Sequence, residues 1–450
     1  MKRTFLTALL LALPLLLPAQ SRGSYFFENS LLRGKLNAAF APQTAYVSVP
    51  VIGSTSVDAA SNVGLGNFLF QYHGKPCTFL NENISADSFL EKLPQQDPYL
   101  SERIETDLLG GGIPVGAHGF ATVSLSVVEN GSLTLPAQLL RFAKLGRTAD
   151  TQQWDIEGLQ AQLAGYVSLA VGYSHDLSPL VEGLRAGARV KLLSGVTGLQ
   201  ADIDRISVRM EDRLFAVTAS GSGQLSGFGY EASDKRFSWN GFGLRGIGTA
   251  IDLGVAYRLP LGGVFEGVDF SASVNDLGFL QFNRQLLDAS TRGSFVFSGF
   301  DSLGDADFQE MIDGVTDELE ALIRPSVTEG RRFALPLSPS LYAGVALPFD
   351  VRTLRMNAGL LYYRSLGHDN LMASYGLSPF EWLNLGVNWT FLGPAGRFGF
   401  YAEFIPRKYA SVFFGMERAG FRRNSSHLAI RNFTDSFSFG VNILLDRLAL

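Results

Sequence analysis

Side-chain chemistry needs nucleophiles, bases or metal ligands at a few recognisable spacings, and this chain of 450 residues offers few of them. Gly241-Phe242-Gly243-Leu244-Arg245-Gly246 matches the Gly-x-Gly-x-x-Gly string with which dinucleotide-binding folds cradle a pyrophosphate. That use requires a strand before the glycines and a helix after them, so that helix N–H groups face the phosphates. Here the glycines run into an alternating segment, 249–259, which instead implies a turn or a close backbone approach within a sheet. His73, His118, His175, His368 and His427 stand singly, without metal-ligand spacing. No serine occupies a Gly-x-Ser-x-Gly elbow. Cys77 is the only cysteine, which excludes an internal disulfide and any multi-cysteine metal site. No catalytic residue, metal ligand or cofactor is therefore expected, and the chain does not read as an enzyme.

The remaining reactive groups are charges, and there are few of those too. Only 18% of residues are charged, against roughly 25% in an average soluble protein. Net charge is -5 and the pI about 5.7, which removes any electrostatic case for nucleic acid. Of the 37 basic residues 29 are arginine, and Arg189, Arg258 and Arg355 fall on the polar faces of alternating segments. In a closed lumen such arginines are expected to pair with acids such as Asp252 and Glu403.

What must position these groups is a chain rich in glycine (49) and phenylalanine (35), which excludes disorder and points to β structure. Met1-Lys2-Arg3 followed by the apolar stretch Phe5 to Leu17 and by Pro18-Ala19 has the layout of a cleavable export signal, 1–19. Beyond it no run of eighteen apolar residues offers a membrane helix. Alternation is pronounced instead. Leu383, Leu385, Val387, Trp389 and Phe391 interleave with Asn384, Gly386, Asn388 and Thr390, and Phe437, Phe439, Val441 and Ile443 interleave with Ser438, Gly440 and Asn442. Similar segments run at 249–259, 341–349, 354–363, 371–377, 398–405 and 410–416.

These segments are about 9–11 residues long, the length of a bilayer-crossing strand rather than a soluble one. Tight turns near Pro348, Pro379 and Pro406 alternate with longer connections such as 417–435, as in outer-membrane barrels. The expected fold is all-β: a transmembrane antiparallel β-barrel of about 14 strands, range 12–16. Residues 20–60 are expected to be a first barrel segment or to lie inside the lumen, and 61–450 to be the barrel. Further strands are expected at 45–52, 63–72, 117–128, 164–174, 185–193, 199–210 and 213–220. The total of about seventeen is odd where bacterial barrels are even, so some early segments must be false or lie inside the lumen. Helical surface inserts are expected after Ser85, after Pro136, and over 299–325. In the last, Phe308, Met311, Ile312, Val315 and Leu319 share one apolar face.

Several stretches carry a family resemblance. They are Tyr25-Phe26-Phe27-Glu28-Asn29, Lys35-Leu36-Asn37-Ala38-Ala39-Phe40-Ala41-Pro42, Tyr46-Val47-Ser48-Val49-Pro50, Gly246 to Tyr257, Ser271 to Gly278, and Leu335-Pro336-Leu337. Together they resemble uncharacterised Bacteroidota outer-membrane barrels, distantly similar to FadL-type fatty-acid transporters and PorV-type secretion-system barrels. The resemblance implies an outer-membrane location, contact with outer-membrane lipid, and fourteen strands around an N-terminal luminal hatch. It places Asn37, Ala39, Phe40 and Pro42 in that hatch, with Ala38 where the family pattern has proline. The function it implies is binding or passage of a hydrophobic small molecule. The alternatives are a barrel that tethers secreted or surface proteins, and a purely structural plugged barrel.

Overall fold

The computed structural model describes residues 22–445 except 43, 147–152, 212–213, 232–235, 263–264, 284–285, 298–323, 328–331, 393–395, 407–408 and 420–432. The export signal and residues 299–323 of the helix proposed over 299–325, with Phe308, Met311, Ile312, Val315 and Leu319, lie outside the described residues, while Arg324 and Pro325 begin a strand, Arg324–Val327.

Fourteen antiparallel staves close on themselves. β1 is in two pieces, Tyr46–Ser48 and Thr55–Ser61, each pairing with both the second stave and the last. β2 (Tyr99–Val115), β3 (Gly119–Thr134), β4 (Gln153–Asp176), β5 (Leu184–Glu211), β6 (Gly246–Pro260) and β7 (Gly267–Phe282) follow in order. Then come β8 (Ser340–Val351), β9 (Leu354–Ser365), β10 (His368–Phe380) and β11 (Leu383–Leu392). β12 (Arg397–Phe404), β13 (Ala410–Ala419) and β14 (Phe433–Leu444) complete the wall. Closure pairs each of these fourteen staves with a neighbour on both sides, as a bilayer requires.

The side-chain period does the rest. Along β8, Ser340, Tyr342, Gly344 and Ala346 point inward and are buried, while Leu341 and Val345 point out. Val171, Leu192, Leu277, Phe279, Leu360, Trp389 and Phe391 continue the outward apolar band around the barrel. Among the described residues no helix is long and apolar enough to cross a membrane. Every connection on one rim is short, such as 116–118, 352–353 and 381–382, and both chain ends of the wall lie there. The long connections sit on the other rim.

Three sequence readings are corrected. The strand expected at 63–72 is the short helix Leu65–Phe68 followed by one arm of a small hairpin, Leu69–Tyr72 with Lys75–Thr78, outside the wall. The stave before it is Thr55–Ser61, whose small side chains gave no alternation. The segments 185–193 and 199–210 are one strand, β5, of 28 residues. That is nearly three times the roughly 9–11 residues that a bilayer-crossing strand needs. It changes partner partway, pairing with β6 through Gly195 and with Leu214–Ser226 from Gly198 onward. The third correction is β2, which the sequence reading missed because its inward face is Ser101, Arg103, Glu105 and Asp107.

The expected short helices are present at Ala86–Leu90, with Ser85 accepting a hydrogen bond from the Ser88 N–H, and at Ala137–Leu145 after Pro136.

Candidate functional site

Residues 22–45 fold inside the barrel. Among the described residues they contain only a turn of 3-10 helix, Arg22–Ser24, and one of α-helix, Arg33–Leu36, so their conformation comes from contacts with the wall. Asn37, fully buried, is the bracket. Its Nδ2 donates to the carbonyl oxygens of Ala272 (3.2 Å) and Val255 (3.4 Å), and its Oδ1 accepts from the Ala39 N–H at 2.9 Å. The wall yields to let it in. A Cβ on Gly254 would lie 2.0 Å from Asn37 Oδ1, and one on Gly187 would lie 2.0 Å from the Ala38 carbonyl oxygen. Phe26 rests in the same way on Gly359, and Phe27 on Gly386. Ala39 is buried beside the bracket, Phe40 packs edge-on against Tyr25 at 5.2 Å, and Pro42 lines the adjoining cavity.

Beside the hatch lies a polar zone. Lys35 pairs with Asp107 (2.7 Å) and Glu105 (3.1 Å), and Arg103 pairs with Glu105 (3.0 Å) and Asp276 (2.9 Å). Lys191 pairs with Asp276 (2.6 Å) and Asp252 (2.9 Å), and Arg189 pairs with Asp252 at 2.9 Å. Four cations thus meet four carboxylates. A bulge makes this possible: Asp252 faces both Asn275 and Asp276, and Asp276 sits at φ 60°, so two successive residues of β7 both turn inward. The Asp276 N–H donates to Asp252 Oδ1 at 2.8 Å. Arg189 also donates to the Gly34 carbonyl, and Ser273 and Asn275 donate to that of Leu36, so the network grips the hatch. A cavity of about 90 Å³ runs alongside, lined by Ser124, Ser126, Ser168 and Ser174. Within it the hydroxyl of Ser126 donates to Asp107.

Toward the long-loop rim the lumen becomes apolar. Val128, Tyr166, Leu193, Leu280, Phe282, Phe333, Leu335 and Leu337 form a buried cluster, with Phe282 stacked on Phe333 at 5.1 Å. Phe282 occupies space left by Gly195 and Gly198, where a Cβ would come within 2.6 Å and 2.5 Å of its ring. That is also where β5 changes partner. Between the strand Leu214–Ser226 and β6 the chain leaves the wall as a hairpin, Phe228–Glu231 with Arg236–Trp239. Arg245 stitches the seam: its N–H donates to the Gly195 carbonyl (2.7 Å), and its guanidinium to those of Val196, Gly243 and Asn240. The Gly-x-Gly-x-x-Gly string is therefore a wall seam that leads into a strand. Trp239, Phe242 (87% exposed), Leu244 and Ile247 surround it on the outside.

At the short-turn mouth Arg258 pairs with Asp269 at 2.6 Å, and with Glu28 of the hatch. Burial pushes the Glu28 carboxyl up, but Arg258 and then Arg33 outweigh it and hold it below the usual glutamate range. Burial pulls the nearby Arg33 guanidinium down to about 10, with Glu28 opposing and Arg185 adding to the fall.

The charge pairing expected inside the lumen is realised for Arg189 with Asp252. Glu403 instead takes hydrogen bonds from Asn384, Tyr401 and Ser411, and Arg355 lies exposed near a short turn. Among the described residues no group of His, Cys, Asp and Glu is arranged to hold a metal. Glu105, Asp107 and Lys191 escaped sequence reading, because nothing local marks which polar strand faces will meet.

Residues 38–414 match the model of a family of unknown function, DUF5723, over well more than half the chain. The chain belongs to that family. No curated protein matches the sequence. Among solved structures, the family member is similar to a FadL homologue of Pseudomonas aeruginosa, with 10% identity, 96% of this chain and 99% of that one covered, and a TM-score of 0.41. It is also similar to the P. putida toluene transporter TodX, with 12% identity, 90% of each chain covered and a TM-score of 0.39. A third likeness is to the translocator domain of the Neisseria meningitidis autotransporter NalP, with 10% identity, 91% and 93% covered, and a TM-score of 0.35.

Proposed function

We propose that this barrel sits in the outer membrane and admits a small hydrophobic molecule, with its N-terminal hatch closing the path toward the short-turn side. The observation that carries the reading is the buried apolar cluster around Phe282 and Phe333 at the long-loop end of the lumen. A water-filled pore has no use for inward leucine and phenylalanine, whereas convergent apolar side chains near the mouth of a barrel are where an apolar ligand gains most by leaving water. The cluster abuts the Arg245 seam, whose outer side is apolar. A cargo held at Phe282 therefore has a short way sideways into lipid that avoids the charged zone and the hatch.

The test is entry of a fluorescent apolar probe, 1-N-phenylnaphthylamine, into vesicles carrying the full-length protein. The wild type is expected to accelerate entry over empty vesicles, and Phe282→Asp combined with Leu280→Asn to remove most of that gain. Equal rates for the wild type, this variant and empty vesicles would refute the proposal.

A further inference from the structure

The short-turn mouth of the lumen holds a separate cavity of about 90 Å³ under the hatch. Five charged side chains line it: Glu28 and Arg33 from the hatch, and Arg185, Arg258 and Asp269 from the wall. Arg258 takes up both carboxylates, Asp269 through its Nε at 2.6 Å and Glu28 through Nη2, and it has Glu266 at 3.6 Å on its other side. That leaves Arg33 without an acid of its own. Arg33 is 8% exposed, its guanidinium lies 3.8 Å above the ring of Phe40, and its Nε has no hydrogen-bond partner. Among the described residues neither Arg33 nor Arg185 forms an ion pair. The acid opposite Arg185 across the β4–β5 pairing, Asp176, is engaged by the N–H and hydroxyl of Ser178.

Burying a guanidinium with no carboxylate bonded to it is costly, and the field of Glu28 and the aromatic face of Phe40 offset only part of that cost. The missing partner is an anion, and there is room for one beside the charge. The geometry points to a binding site for a small carboxylate or phosphate anion, formed by Arg33 of the hatch and Arg185 of β5 and entered from the short-turn rim. Guanidinium forks suit the paired oxygens of both groups. Phe26 and Ala346 on the remaining sides leave space for a short apolar tail. Because one arginine rides on the hatch and the other on the wall, an anion here would also bridge the two. This site is independent of the apolar path proposed above.

The experiment follows the ¹⁹F signal of trifluoroacetate titrated into the detergent-solubilised full-length protein, with inorganic phosphate, acetate and octanoate as competitors. Saturable broadening is expected, weakened roughly tenfold or more in both Arg33→Gln and Arg185→Gln. Arg185 is an exposed wall residue, and retention of the heat-dependent gel shift in its variant shows that the barrel is intact. Displacement by octanoate well below the acetate concentration would identify an acid with an apolar tail. Equal displacement by acetate and octanoate, or stronger displacement by phosphate, would identify a free small anion. Broadening that does not saturate in the wild type, or that survives unchanged in Arg185→Gln, overturns the site.

Discussion

The two ends of the lumen are built on opposite physical plans. Beside the hatch, four cations and four carboxylates interlock around Asp252 and Asp276. At the long-loop end, Phe282 and Phe333 stack among leucines. The polar zone is directional: each group needs a partner at one place, so it holds the hatch in one position. The apolar zone is not directional, and an apolar guest replaces a side chain there with little loss. A single lumen thus combines a zone that fixes its contacts with a zone that tolerates exchange of apolar groups.

The contrast predicts unequal responses to mutation. The largest belongs to Asp252→Ala, which strips Arg189 and Lys191 of a fully buried partner. A loss of about 3–5 kcal/mol is expected in urea unfolding from lipid vesicles. A loss below 1 kcal/mol would mean that water fills the gap and the zone is not rigid. Next is Gly187→Val, whose side chain runs into the Ala38 carbonyl. Overpacking of about 1–3 kcal/mol should raise the population with the hatch displaced some 5–150-fold, read as faster trypsin cleavage at Lys35 with the barrel's gel shift retained. Arg245→Met comes third. It leaves seam carbonyls short of donors, at about 1–3 kcal/mol, and should speed probe entry without exposing the hatch to trypsin. If it exposes the hatch instead, the two zones are coupled and the contrast is wrong.

The smallest effect is one of pH. The folded Glu28 carboxyl titrates below its ordinary value of 4.5, so its grip on Arg258 is fully present above that value and fades as pH falls through the lower one. Tryptic susceptibility is not measurable there, so pepsin cleavage of the hatch is the readout. It should rise on acidification in the wild type and be less pH-dependent in Glu28→Gln.

Much of the wall was legible because alternation is local. The staves β8 to β14 show it in consecutive residues, with Leu383 to Phe391 the clearest case. β2 and the Thr55–Ser61 half of β1 did not, since one carries charges on its inner face and the other is nearly all small residues. The positions Asn37, Ala39, Phe40 and Pro42 were drawn from a resemblance, and the wall carbonyls that accept from Asn37 lie on β6 and β7, over two hundred residues away. Arg33 and Arg185 could not be singled out at all, because an unpaired arginine is defined by what fails to come near it.

The sequence alone determined that this chain is a membrane-crossing β structure, since a period of two with one apolar face is a property of neighbouring residues and of the solvent each face meets. Only the tertiary structure decided which polar faces oppose one another. Closing fourteen staves fixes a register, and one bulge at Asp276 turns two residues inward together. That register brings Lys35, Glu105, Lys191 and Asp252 into one network and leaves Arg33 lining a cavity without an ion pair. Charge meets charge across a lumen through contacts between residues far apart in the chain, and a linear pattern holds no record of those distances.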